Sequence, residues 1–168
     1  MTITKNDQFK KLDKVVVNTG IGRLTQQPNF EDKILPAIAQ DFAVITGQKP
    51  ATRPARISIS GFKLRKGVVV GLKATLRRKR MEEFLNKVSK VVLPRVRDFR
   101  GLNPNNVDKG GNLSFGIRDH LVFPEIVPEH SKTNFGIEIT VVPKSKEVPN
   151  REEAMQLYKS IGIPFARQ

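Results

Sequence analysis

Two periodicities within one chain of 168 residues predict a mixed fold: a sheet with one dry and one wet face, packed by amphipathic helices. The first is strict alternation of apolar and polar residues in four short stretches. The second is an apolar recurrence every three or four residues in three longer ones. A third observation picks out the face that matters, because Phe42 to Met81 carries 11 Lys or Arg and no Asp or Glu, where the chain average gives about four acids. Outside that segment 19 basic residues meet 16 acidic ones, so most of the formal net charge of +14 is concentrated in under a quarter of the length. A polyanion is the partner such a distribution fits.

Length predicts one domain over residues 1–168 with a sizeable core, and residues 1–13 read as a polar, poorly ordered N-terminal extension. The absence of cysteine excludes a disulfide framework and thiolate metal sites. No stretch suits a signal peptide, and no apolar run approaches the roughly 20 residues of a membrane helix. The expectation is a soluble cytoplasmic chain with no membrane partner.

The first strand is Lys14-Val15-Val16-Val17-Asn18, stopped by Gly20 and Gly22. Gly20-Ile21-Gly22 lacks the third glycine of a dinucleotide fingerprint and reads as a strand-end turn. Phe30, Ile34, Ile38, Phe42 and Ile45 recur at helical spacing, with Asn29 placed to cap and Gly47 to close. Pro36 leaves two possibilities: a kink, or a helix that begins near it after a separate turn. The period then becomes alternating. Ile57 and Ile59 oppose Arg56, Ser58 and Ser60, and the return strand sets Val70, Leu72, Ala74 and Leu76 against Lys73, Thr75 and Arg77. Between them Gly61 to Gly67 forms a basic hairpin tip.

A second helix follows from Met81, Phe84, Leu85, Val88, Val91 and Val92, ended or bent by Pro94. Loop sequence leads to a strand at Leu113, Phe115 and Ile117 and another at Phe135, Ile137, Ile139 and Val141, with a proline-rich surface connection from Phe123 to Pro128 between them. The last helix has Asn150 as cap, Glu153 to complete a capping box, and Gly162 with Pro164 as its stop.

The wet side of this sheet gathers Arg56, Ser58, Ser60, Lys73, Thr75, Arg77, Ser114, Arg118 and Thr140, with Asn18 at a strand end. Short hydroxyls let a nucleic-acid backbone approach while long cations reach its phosphates, and a broad polar surface suits folded RNA. An ordinary solvated face is the bland alternative, which the missing acids disfavour. At the tip, Phe62 either folds back into the core or stands out among Lys63, Leu64, Arg65 and Lys66 as a second contact. Catalysis finds no coupled motif: His120 and His130 are the only imidazoles, and Asp98, Asp119 and Glu125 are the carboxylates a nuclease reading would test first. No metal or cofactor is expected. A general single-stranded nucleic-acid module is the alternative from another class, but no aromatic falls among the wet positions to stack bases.

Several stretches in register resemble the bacterial large-subunit ribosomal protein family L-five, which anchors 5S ribosomal RNA. They are Val17-Asn18-Thr19-Gly20-Ile21-Gly22, Ile45-Thr46-Gly47-Gln48-Lys49-Pro50, Gly61-Phe62-Lys63-Leu64-Arg65, Thr75-Leu76-Arg77, Leu93 to Gly101, Phe123-Pro124-Glu125-Ile126 and Pro164-Phe165. The resemblance implies an α+β two-layer sandwich, an antiparallel sheet with helices on one face and RNA on the other, in the central protuberance of the large subunit. It implies RNA contact at Asn18, Gln48 and Thr75, and the basic neighbours Lys49, Arg56 and Arg77 fit the same surface; Arg53 of the acid-free segment and Lys73, Ser58 and Ser60 of the wet face complete the expected RNA-binding set. It further implies that Phe62 to Lys66 touches the peptidyl-site transfer RNA, and that residues near 103–111 and 127–134 meet small-subunit protein S-thirteen across the subunit bridge. Large-subunit ribosomal RNA is the remaining implied partner. The chain departs from the family pattern at Arg77-Arg78-Lys79-Arg80-Met81, where the family tends to Arg-Gly-Glu-Arg-Met, at Lys109-Gly110-Gly111-Asn112-Leu113, and in the few residues before the first strand.

Overall fold

The computed structural model describes residues 5–129, 131, 133–148 and 150–166. Order begins earlier than the polar N-terminus suggests. A short helix α1 (Lys5–Lys10) leads into strand β1 (Leu12–Gly20), and Phe9 and Leu12 are both buried. Within the stretch read as a poorly ordered extension, these two apolar residues supply the anchoring that its many charges conceal.

Five strands form one antiparallel sheet in the order β2-β3-β1-β5-β4, giving the α+β fold. Strand β2 is Ala51–Pro54, β3 Val69–Leu76, β4 Leu113–Ile117 and β5 Ile137–Pro143. Burial alternates along the four longer strands. Val15, Val17 and Thr19, then Leu72, Ala74 and Leu76, then Leu113, Phe115 and Ile117, then Ile137, Ile139 and Val141 are buried, while their neighbours remain half-buried or exposed apart from Gly71. That is the period of two expected when one face of a sheet is dry. The helices answer with buried stripes: Ile38, Phe42 and Ile45 on α2 (Leu35–Thr46), Met81, Phe84 and Leu85 on α3 (Arg78–Lys87). The short α4 (Leu93–Arg95) buries Leu93, and α5 (Arg151–Ile161) buries Ala154, Leu157, Tyr158 and Ile161.

Both awkward prolines are handled in the same way. A π turn at Phe30–Ile34 precedes Leu35-Pro36, and another at Val88–Val92 precedes Leu93-Pro94. Proline lacks an N–H, and its ring collides with the carbonyl four residues back. Widening the turn so that Leu35 N–H donates to the Phe30 carbonyl, and Leu93 N–H to that of Val88, accommodates the ring without breaking the helical path. Of the two possibilities for Pro36, the α-helix proper therefore begins beside it. Asn29 and Asn150 precede their helices as expected, but neither side chain makes a cap hydrogen bond.

The chain divides into two compact units where length suggests one, and neither is contiguous: Met1–Val16, Thr75–Gly116 and Ile139–Gln168 make the first, Val17–Ala74 and Ile117–Glu138 the second. Each boundary falls inside or at the margin of a strand, so no linker composition marks it. In the first unit, the buried Tyr158 hydroxyl donates to the carbonyls of Gly111 at 2.6 Å and Val141 at 3.3 Å, pinning α5 to β5. Burial raises the phenol's pKa, so it stays a donor. Two of the quoted motifs also meet here. Leu102 pairs in parallel with Phe165, Leu102 N–H donates to the Pro164 carbonyl and Ala166 N–H returns to that of Leu102, both at 2.9 Å.

In the second unit, the segment from Arg56 to Ser60 is not the strand its alternation predicts. The β2 register shifts at Pro54, and in the 14 residues between the strands Ala55 still bonds to Val68 and Gly67, after which come an isolated Ile59–Leu64 bridge and a 3-10 turn at Ser60–Phe62. Ile57 and Ile59 are accordingly exposed rather than in the core. The connection at Phe123 to Pro128 runs at the surface but is tacked down by buried Phe123 and Ile126. His120 is fully buried and stacked on Phe135, with ring centroids 4.0 Å apart. Its Nε2 lies 2.7 Å from Ser131 Oγ, which donates to Asp41 Oδ2 at 2.9 Å, so the imidazole is the donor to the serine. Asp119 caps Leu121 N–H.

Two substitutions test this packing. In Gly101, at φ +107°, an added Cβ would stand 2.4 Å from Ala166 N, so Gly101→Ala should lower unfolding free energy in urea by about 2–5 kcal/mol, from overpacking plus left-handed strain. Ser131→Ala leaves the His120 N–H buried without its acceptor and should cost about 1–3 kcal/mol in the same assay.

Candidate nucleic-acid interface

The geometry of the acid-free segment is set by what encloses it. Helix α2 ends at Gly47, whose left-handed φ of 70° turns the chain out to half-buried Gln48 and exposed Lys49. Strand β2 then pairs with β3 so that Arg53 stands opposite Gly71 and Ala51 opposite Lys73. Direct partners in an antiparallel pair project to the same side, so Arg53 and Lys73 share one face of this hairpin. On β1, Asn18 alternates with buried Val17 and Thr19 and so belongs to the half-buried set. Arg56, Ser58 and Ser60 are exposed on the long connection rather than on a strand, and Ser58 Oγ accepts from Lys66 N–H at 2.9 Å, bracing the loop.

Beyond Ala74 the remaining two positions belong to the other unit. Thr75 is half-buried on β3. Arg77 is exposed at the N-cap of α3 and pairs with Asp13 Oδ1 at 2.7 Å. Alternation along β3 puts Lys73 and Thr75 on one side of that strand, but Arg77 leaves the strand and acquires a carboxylate. Ser114 and Thr140 hydroxyls are 3.1 Å apart and satisfy each other.

Electrostatics separate the cations more sharply than position does. Lys49, Arg53, Arg56, Lys63, Arg65, Lys66 and Lys73 all lie in the second unit, and none forms an ion pair among the described residues. All but the half-buried Lys73 are exposed. The cations next along the chain are different, since Arg77 has Asp13 and Lys79 has Glu83 at 3.7 Å. Like charges held together without counterions produce a local potential that an external anion relieves.

The loop tip resolves the two possibilities for Phe62 in favour of exposure: its side chain is 70% accessible, with Lys63 at φ 51° turning the chain beside it. Leu64 is half-buried, and Arg65 and Lys66 are exposed. Charge counting missed Arg23, an exposed residue just after the strand-end turn that lies outside the acid-free segment. No cluster that could hold a metal ion occurs among the described residues. The imidazole considered for catalysis is enclosed by Phe135, Ser131 and Asp41 and works in packing. Asp98 and Glu125 are exposed on separate segments, and His130 lies outside the described residues.

Comparison with known proteins agrees in order and extent. Residues 8–65 match the family described as Ribosomal protein L5, and residues 69–165 match the model of the C-terminus of the same ribosomal family. The chain is 46% identical over 161 residues to large ribosomal subunit protein uL5 of Pseudothermotoga lettingae, covering 96% of this chain and 84% of the relative. It is 47% identical over 160 residues to the protein of the same name from Thermus thermophilus, covering 95% and 84%. The corresponding protein of Caldanaerobacter subterraneus is 45% identical over 160 residues, with 95% and 86% covered. With both halves matched in order and near-complete coverage of the chain, the protein belongs to the ribosomal protein L5 family.

Proposed function

We propose that the chain is a non-catalytic component of the large ribosomal subunit in the cytoplasmic ribosome, and that it binds 5S ribosomal RNA and helps anchor it to the large-subunit RNA in the central protuberance. The observation that carries this reading is the set of seven cations in the second unit that form no ion pair among the described residues. Phosphates supply the missing counter-charge. Arg53 and Lys73 reach them from the hairpin face, Lys49 and Arg56 from its margins, and Asn18 and Gln48 offer polar groups to the sugar and base edges, with Thr75 a further contact on the other unit. Ser58 and Ser60 allow close approach at the loop. The names of the relatives, all large-subunit proteins, support the setting.

The exposed tip from Phe62 to Lys66 is the element that reaches the peptidyl-site transfer RNA in this reading, since it joins three cations to an uncovered aromatic ring. A bridge to small-subunit protein S-thirteen falls to the loops near 103–111 and 127–134.

If the four cations outside the tip, Lys49, Arg53, Arg56 and Lys73, neutralise its phosphates, the logarithm of affinity for 5S RNA should fall against the logarithm of salt concentration with a slope of about −2.8 to −3.6. Removing Arg53 and Lys73 together should flatten that slope by about 1.4 to 1.8, whereas Arg77→Ala should change it less, because Asp13 already compensates Arg77. A salt-independent affinity measured by filter binding or fluorescence anisotropy would contradict the reading.

A further inference from the structure

Beside the exposed tip, the second unit holds a cleft of about 630 Å³, within the range of pockets that take small ligands. Its walls come from the end of β1, the turn after it, the tip loop and the approach to β5, and include Gly20, Arg23, Gln26, Phe62 and Asn134. No carboxylate lines it. From this cleft we infer that the protein holds one unstacked RNA base, with the ring against Phe62 and the base edge read by the amides of Gln26 and Asn134. The inference deepens the RNA-binding reading and rests on it.

The chemistry of the walls selects that occupant. Of the two phenylalanines at the cleft, Phe135 is buried and already stacked on His120, whereas Phe62 is 70% accessible and has a free π face. Each amide is half engaged. Gln26 Nε2 donates to the Phe62 carbonyl at 3.1 Å, which leaves its oxygen as an acceptor. The Asn134 side-chain amide meets His120 Nδ1 at 3.3 Å; with the ring proton on Nε2, Nδ1 accepts, so the amide turns its NH₂ to the ring and keeps its oxygen and second N–H for a ligand. A donor and an acceptor beside an aromatic plane are what the polar edge of a nucleobase requires, and single-stranded RNA is read by that combination of stacking and edge hydrogen bonds. Arg23 is exposed with no partner among the described residues, and Lys63, Arg65 and Lys66 stand on the same loop as Phe62, so the flanking phosphates have cations to meet. Gly20 leaves the entrance open: a Cβ built there meets nothing within 4 Å. A side chain at that position would enter the cleft without disturbing the fold.

The test uses the full chain labelled with ¹⁵N and titrated with AMP, GMP, CMP and UMP, with ribose 5-phosphate as the base-free control. Amide shifts at Gly20, Arg23, Phe62 and Asn134 should occur with nucleotides and not with ribose 5-phosphate. Phe62→Leu, which keeps bulk and removes the π face, should weaken nucleotide binding by roughly 5- to 150-fold, and Phe62→Tyr should retain it. Gly20→Val should block binding while leaving the rest of the amide spectrum in place. Equal shifts with ribose 5-phosphate, or nucleotide binding indifferent to Phe62→Leu, would overturn the inference. If nucleotides produce no shifts while 5S RNA still binds with a steep salt dependence, the base site is wrong and the RNA-binding reading stands; if 5S RNA does not bind, both fall.

Discussion

One-sided burial governs this molecule. Each long strand gives alternate side chains to the interior, and that interior is filled by aliphatic and aromatic groups, with Thr19, Thr46, Ser89 and His120 the buried polar residues. Charges cannot follow them in without a partner, because desolvating an unpaired cation costs far more than any contact it would gain. Every Lys and Arg of the acid-free segment is therefore held outside or at the margin of the core. With no acid in the same 40 residues, those before Leu76 form no ion pair among the described residues. Packing and sequence composition together concentrate positive potential in one unit.

The same logic explains why the cations at the start of α3 differ from those of the hairpin. Arg77 and Lys79 have carboxylate partners from β1 and from the helix itself. Exposed pairs of this kind add little stability, on the order of 0–1 kcal/mol, but they do reduce the charge left for an external anion. Net charge counted along the sequence treats all 11 cations alike. Their neighbours in space divide them.

Much of the fold was legible in the residues. Alternation at Leu113, Phe115 and Ile117 and the helical stripes of Phe42 and Tyr158 translate directly into burial, because nothing but the sheet or helix period decides which side of those elements is dry. Alternation failed at Arg56 to Ser60, where the ladder shifts register at Pro54 and lapses after Ala55, leaving Ile57 and Ile59 exposed. A period describes a strand only if another strand is there to bind it. The site was half legible. The missing acids single out a segment whose cations before Leu76 form no ion pair among the described residues, and the pairing register puts Arg53 and Lys73 on one face. The Asp13 partner of Arg77, the buried His120 cluster and the cleft beside Phe62 arise from residues distant in sequence, and no local pattern announces them.

Lysine acetylation footprinting with and without 5S RNA tests the central claim most directly, because it reads each ammonium group separately. The account predicts strong protection of Lys49 and Lys73, with Lys144 and Lys159 in the other unit still reactive. Protection spread evenly over all lysines, or confined to Lys144 and Lys159, would contradict it.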